Sequence, residues 1–367
     1  MGTLDRYIYR SLLINYIAAF AVMISLYVVL DLFVNMDEFT EQGYPTRVVI
    51  ANVISYYAPN VLLYFKQLAG VITLFACMAT IARMRTLNEL TAILSSGVSL
   101  FQVARPILFF AIASSALLVL DTEVLIPSVA HKLARDHDDV AGDRAQQVLF
   151  LPDRNSALLS AGRSDPATGT LHQLLVLERD ADNKVTGIIE ADKARWVPPG
   201  DTHPSGRWKL DRGRRSRRIT ERDGGIGPQG GIEESFPQYY ESDLTPQDIQ
   251  LRQAEGWAGF LSLGQLNELS RRALLSATEL LQVRHTRIMA PVVGLVMLLL
   301  GLPFFLDREP GNVLADGAKC VTLCGMCYLT DFVAQSLRAS TTSPLPAWAA
   351  VFIFGPIATA LICRIRT

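Results

Sequence analysis

Leu12–Val34 reads LLINYIAAFAVMISLYVVLDLFV, an apolar run whose single charge, Asp31, sits near its far end. A helix needs about 20 such residues to cross roughly 30 Å of hydrocarbon, so the run predicts a membrane span. Asp5, Arg6 and Arg10 precede it, and no small-residue cleavage site follows. The run is also too long for the apolar core of a signal peptide and is expected to remain as a span.

The same rule finds five more runs. Val48–Ala82 is interrupted by Pro59, Asn60, Lys66 and Gln67. Its uninterrupted part is Leu68–Ala82, and the earlier part reads as an interfacial or kinked lead-in helix. Val98–Ile126 follows, cleanest between Ile107 and Leu120. After a long polar middle come Ile288–Leu306, then Val313–Leu337 with Asp316, Lys319 and Asp331, and last Leu345–Cys363. Six spans put the N-terminus, the 83–97 loop, the 307–312 loop and the C-terminus on one side. That side carries Arg6, Arg10, Arg83, Arg85, Arg308, Arg364 and Arg366, whereas the opposite short loops carry Arg47 and Arg338. The basic side is expected to be cytoplasmic and the polar middle to lie outside.

The whole-chain composition averages these two parts. Over 367 residues, 50% are hydrophobic and only 19% charged, below the roughly 25% charge of an ordinary soluble domain. Low charge and high hydrophobicity exclude a disordered chain. Lys+Arg 34 against Asp+Glu 35 argues against a nucleic-acid binder. Cys77, Cys320, Cys324, Cys327 and Cys363 all fall in apolar stretches, so disulfides are not expected to hold the polar middle together.

In that middle, Gln147–Leu151, Ala157–Ala161, Gln173–Glu178, Thr186–Ala191, Ala194–Val197 and Arg207–Leu210 are short β-forming segments separated by turn residues. They predict an inserted all-β domain, sandwich-like or jellyroll-like, over 128–262. The expected organisation is therefore transmembrane helices 1–3 in 1–127, the β-domain in 128–262 and transmembrane helices 4–6 in 263–367. From Leu261, apolar residues recur at helix spacing and predict a helix leading into span four.

Few motifs carry chemistry. Cys320, Cys324 and Cys327 have a spacing that thiolate ligands of an iron–sulfur cluster use. The same spacing is one stripe of a helix inside an apolar span, which favours helix packing. Gly224–Gly231 lacks the Lys and Ser/Thr of a phosphate loop and reads as a β-loop. Arg212, Arg214, Arg215, Arg217 and Arg218 suit either anionic phosphates or a solvated hairpin end. The histidines show no metal-ligand spacing, no nucleophile elbow is present, and the chain is not expected to be an enzyme. Asp31, Asp331, Lys66, Arg284 and Arg287 are costly in lipid and should face a cavity, a partner or the interface. For Lys66, Arg284 and Arg287 two roles stand: snorkelling to headgroups, or contact with phosphates of an amphipathic substrate.

The stretch at about 84–97 reads as a short helix. Leu87, Leu90 and Leu94 are expected on one exposed apolar face, flanked by Arg83, Arg85 and Glu89, with Gly97 at its end. Such a face suits docking in another protein's groove; a connector lying on the bilayer fits equally.

Asn88-Glu89-Leu90-Thr91-Ala92-Ile93 followed by Ser96-Gly97-Val98-Ser99 resembles the coupling-helix segment of the lipopolysaccharide-export permeases, the F- and G-type subunits of the Lpt ABC transporter. Leu4-Asp5-Arg6-Tyr7-Ile8, Gly206-Arg207-Trp208-Lys209-Leu210, Leu244-Thr245-Pro246-Gln247-Asp248, Leu261–Leu266 and Arg287-Ile288-Met289-Ala290-Pro291 resemble further motifs of that family, in order along the chain. The resemblance implies an inner-membrane subunit with a periplasmic jellyroll that pairs with a paralogous permease subunit. It also implies a cytoplasmic ABC ATPase dimer that binds the ATP, so that this chain needs no cofactor. Glu89 then matches the position that meets the ATPase, with Arg85, Leu87, Leu90 and Leu94 around it. In the family, spans one and five form lateral gates, and the jellyroll passes lipopolysaccharide to a periplasmic bridge protein. Val283 and Thr286 depart from the polar or charged residues common before span four, and the 212–231 insert is long. An export permease for another envelope glycolipid, or a non-transporting membrane scaffold, are the competing readings.

Overall fold

The computed structural model describes residues 2–36, 45–134, 146–166, 168–180, 184–199, 206–218, 232–254, 256–271, 276–306, 312–338, 343 and 345–363. In chain order its helices begin with α1 (Thr3–Val34), α2 (Thr46–Thr86), α3 (Glu89–Ser95) and α4 (Leu100–Leu120). Strands follow: β1 (Gln146–Pro152), β2 (Leu158–Asp165), β3 (Thr170–Arg179), β4 (Val185–Val197), β5 (Arg207–Asp211), β6 (Arg214–Arg218), β7 (Ile232–Ser235) and β8 (Tyr239–Glu241). The chain then returns to helix as α5 (Pro246–Gln253), α6 (Leu263–Arg271), α7 (Ala277–Phe305), α8 (Val313–Arg338) and α9 (Ala349–Cys363).

Six of the described helical stretches are long and apolar enough to cross a membrane. They correspond one for one to the apolar runs of the sequence. The second differs in one respect: α2 continues through Pro59 as a single helix of 41 residues, so the lead-in and the span are one element. The third span does not stop at Leu120 but passes through a π-helical turn, Asp121–Leu125, before ending at Ser128.

The chain divides into two compact units: Met1–Met36, Tyr57–Ser128 and Ala277–Thr367 form one, and Asp37–Tyr56 with Val129–Ser276 form the other. In the helical unit, lipid gives apolar side chains no hydrophobic gain on pairing, so small residues and buried hydrogen bonds must fix the packing. Both are present. A Cβ placed on Gly70 of α2 would lie 3.0 Å from Cα of Gly294 on α7, so these helices cross backbone to backbone. Ser114 of α4 is hydrogen-bonded to both Tyr16 (3.0 Å) and Thr73 (2.7 Å), linking α1, α2 and α4. Asn15 Nδ2 donates to Thr80 Oγ1 at 2.8 Å. The cysteine stripe faces α7: Cys320, Cys324 and Cys327 are buried, and Cys324 Sγ donates to the Met297 carbonyl at 3.3 Å. Among the described residues no group of three or more His, Cys, Asp or Glu could hold a metal.

The second unit contains one antiparallel sheet in the order β1-β2-β3-β4-β5-β8, as expected for an all-β insert. It is a meander that forks at β4, whose N-terminal half pairs with β6 and whose C-terminal half pairs with β5. Alternation sets its core. Val148, Ala161, Leu174 and Ala191 oppose one another across four strands, as do Leu159, Val176 and Ile189; all are buried, as period-2 pairing on one face requires. The two segments expected at 186–191 and 194–197 are one strand, β4. The alternation changes phase at Asp192-Lys193, both exposed, and that break hides the continuity in the sequence. Strand β6 was not expected: Arg214-Arg215-Ser216-Arg217-Arg218 has no apolar residue. The Gly224–Gly231 segment lies outside the described residues.

Candidate functional site

At one end of the helical unit lies the connection between α2 and α4. Asn88 adopts φ 57°, a left-handed conformation that Asn tolerates better than most residues. It turns the chain into α3, and Gly97 at φ 88° ends the helix as its lack of Cβ allows. Ser99 and Gln102 then start α4 with a reciprocal capping box. The α3 helix has seven residues. Its inner side enters the core: Leu90 is buried, and Ile93 and Leu94 pack against the same cluster as Ile8 and Leu12 of α1. Leu87 sits before the helix and is exposed, as are Thr91, Ala92 and Ser95. The expected exposed stripe of Leu87, Leu90 and Leu94 is therefore split: one leucine faces outward and two face the subunit's own core. A helix this short needs that anchorage, because two turns are unstable alone.

Two polar ties hold this connection. Glu89 Oε2 accepts a hydrogen bond from the Tyr7 hydroxyl at 2.7 Å. Arg85 Nη1 donates to Asp316 Oδ2 at 3.1 Å and to the Phe304 carbonyl at 3.3 Å. The Arg85 side chain is only 5% exposed, so it is an internal clamp between α2, α7 and α8. Nearby, Arg105 pairs with Asp5 at 3.3 Å.

A second polar region lies farther along the spans. A cavity of about 450 Å³ is lined by Lys66 and Gln67 of α2, Leu118 of α4, Thr286 of α7, and Asp331 and Gln335 of α8. Arg287 is buried and donates to Glu123 at 2.8 Å, and Lys66 lies within electrostatic range of Arg287, Asp121 and Glu123. Asp121 opens the π-helical turn; it is buried, and neither carboxylate oxygen has a hydrogen-bond partner among the described residues. At the far end of α1, Asp31 accepts from Tyr57 at 2.8 Å. The apolar walls and the few polar groups between helices are what an amphipathic ligand needs.

The order of these parts agrees with one known family. The chain matches the family described as lipopolysaccharide export system permease LptF/LptG over residues 6–364. It belongs to that family. A search of curated proteins gave no match.

In this permease, the residues singled out from the sequence fall into three places. Glu89, Arg85, Leu87, Leu90 and Leu94 gather at the α2–α4 connection, where Glu89, Leu87 and the outer side of α3 face away from the core. Lys66 and Arg287 come together beside the cavity, while Arg284 is exposed and does not line it. Sequence reasoning missed Tyr7, Glu123 and Asp121 as members of these sites. The signal for Glu123 was there: two acids late in the third run and two bases just before the fourth must find each other if both enter the membrane. The arginine cluster of the β-domain is largely neutralised by its neighbours. Arg212 pairs with Asp192 at 3.1 Å, Arg215 with Glu178 at 2.9 Å, and Arg214 with Glu234. Those pairs favour a structural, solvated edge over a phosphate site.

Proposed function

We propose that this permease is one of two paralogous subunits that extract lipopolysaccharide from the inner membrane and deliver it, through a periplasmic β-domain, to a bridge protein. The observation that carries this reading is the family match across nearly the whole chain, helices and β-insert together. A cytoplasmic ABC ATPase dimer binds the ATP and supplies the energy; this subunit is a transport component, not an enzyme. The outer side of α3, with Glu89, Leu87, Thr91 and Ser95, is the ATPase contact, whereas Leu90 and Leu94 seat the helix. The polar cavity receives the charged part of the lipid, with Lys66 as its cation and Arg287 behind it; Arg284 meets headgroups at the surface. ATP-driven displacement of α3 narrows the space between the paired subunits and drives the glycolipid toward the β-domain.

The test is affinity purification of the tagged permease with its complex. An ATPase and a second permease should copurify, and mass spectrometry should find lipopolysaccharide. Glu89→Ala should leave the complex assembled and lower lipid export. Absence of an ATPase, or full export by Glu89→Ala, would overturn the corresponding part of the reading. A different bound glycolipid would reassign the substrate.

A further inference from the structure

The cavity between α2, α7 and α8 has walls of opposite charge. Among the described residues that line it, two are charged: Lys66 on α2 and Asp331 on α8. Each sits in its own surroundings. Lys66 lies in the field of Arg287, Asp121 and Glu123. Asp331 Oδ2 accepts from Gln335 Nε2 at 2.6 Å. Tyr328 lies in the field of Asp331 and within hydrogen-bonding reach of Gln67 on α2. Helix period sets this placement. Tyr328, Asp331 and Gln335 recur at three and four residues and share one side of α8. Leu329 and Val333 fall on the opposite side and are exposed, as side chains that meet acyl chains should be. A carboxylate within a span is costly unless a cavity, a partner or a ligand answers it, and α8 turns Asp331 to the cavity.

The acidic wall is also rich in aromatic rings. Tyr27 of α1 lies in the field of both Tyr328 and Asp31. Its ring is 4.3 Å from that of Tyr64, and Asp31 accepts from Tyr57 at 2.8 Å. Carboxylates beside aromatic faces are the groups that hold ammonium ions, by charge and by cation–π attraction. A bare phosphate meets a mixed reception here. Lys66 attracts it, but a carboxylate on the facing wall repels it, and more strongly than in water.

We infer that the cavity selects a head group carrying both charges: a phosphate ester that bears a protonated primary amine. Its phosphate lies toward Lys66, and its ammonium lies against Asp331 and the Tyr328 ring. Asp331 is then the residue that sets head-group specificity. This rests on the reading that the cavity receives the charged part of the lipid. Such a head group has two sources, a glycolipid with amine-substituted phosphates and phosphatidylethanolamine.

The experiment uses the assembled complex, permeases with ATPase, in phosphatidylglycerol vesicles. Export to the bridge protein is measured for lipopolysaccharide whose phosphates carry ethanolamine and for the same lipopolysaccharide without it. The amine-bearing form should half-saturate export at about tenfold lower concentration, the scale of one hydrogen bond to a charged group. Asp331→Asn should bring the ratio to about one, and Asp331→Glu should keep most of it. A merely structural loss lowers export of both lipids together and leaves the ratio in place. In a second arm, phosphatidylethanolamine replaces part of the phosphatidylglycerol. Inhibition that Asp331→Asn removes would support the same head chemistry and assign it to the phospholipid. No preference that depends on Asp331 in either arm overturns the inference. Lys66→Met tests the underlying reading, since it should weaken export of both lipopolysaccharides. If it changes neither, the cavity is not the head-group site; if it weakens both while Asp331→Asn leaves the ratio unchanged, only the amine assignment falls.

Discussion

Arg287 Nη1 donates to Glu123 Oε1 across 2.8 Å, joining α7 to the π-helical turn of the third span. The Arg287 side chain is 6% exposed, so removing its partner leaves a charge in a poorly solvated place. Breaking a buried pair from one side costs about 3–5 kcal/mol, whereas replacing both members by apolar groups is often close to neutral. Glu123→Ala should therefore lower the thermal midpoint of the detergent-solubilised protein strongly, and Glu123→Ala with Arg287→Met should recover most of the loss. Additive losses in the double variant would show that Arg287 answers to another partner.

The same pair shows what the sequence could and could not disclose. Span existence is a local property, because twenty apolar residues decide it wherever they stand; all six were legible. Strand β3 was legible for a similar reason, as Leu174-Leu175-Val176-Leu177 is an apolar, β-forming run within one segment. The Arg287–Glu123 tie joins residues 164 positions apart, and nothing local pairs them. Strand β6 is the clearest case. Its arginines carry no β-pattern, and the strand is held by its pairing with β4 and β7 and by Glu234 on β7 and Glu178 on β3, which meet Arg214 and Arg215. Glu89 was legible through its family motif, but its bond to Tyr7 depends on where α1 lies. Leu90 and Leu94 were read on the right face of the helix; which way that face turned required the core it packs on.

Close approach of α2 and α7 makes a sharp steric prediction. Cβ at Gly70 would meet Gly294 Cα at 3.0 Å, and Cβ at Gly294 would meet Gly70 Cα at 3.3 Å. Backbone atoms cannot step aside as a side chain can. Gly70→Val should cost about 1–3 kcal/mol through overpacking, seen as a lower thermal midpoint and a poorer monodisperse yield. Gly325→Ala is the control, since nothing lies within 4 Å of its Cβ position. Equal effects at positions 70 and 325 would refute the backbone crossing.

The cysteine stripe makes a complementary prediction. A Cβ on Gly301 would fall 2.8 Å from Cys320 Sγ, with Met78 and Leu74 also crowding it. Gly301→Ala should destabilise the protein, and Cys320→Ala should relieve part of that loss by removing the sulfur. The pair thus couples, as residues in contact do. A double variant no better than Gly301→Ala alone would place the strain on Met78 and Leu74.

In the β-domain, the buried carboxylate of Asp153 accepts from the Tyr240 hydroxyl at 3.0 Å, the Ser242 hydroxyl at 2.6 Å and the Asp243 amide at 3.0 Å. Burial, and then the negative charge of Asp153, push the Tyr240 phenol above its ordinary value of 10.0. A group raised on folding binds its proton more tightly in the native state. Below the unfolded value both states are protonated and the stabilisation is intact. Above about pH 10 the unfolded chain loses its phenolic proton first, so native stability falls as pH rises toward the folded value. Urea unfolding followed by tryptophan fluorescence should read this, because Trp208 is buried and pairs across the strands with Tyr240. The unsubstituted protein should lose stability between pH 9 and pH 11 at a slope that Tyr240→Phe lacks. At pH 8 the same variant should be less stable by about 1–3 kcal/mol, the cost of leaving a buried carboxylate short of one donor. An alkaline slope unchanged in Tyr240→Phe would assign the transition to another tyrosine or to lysine.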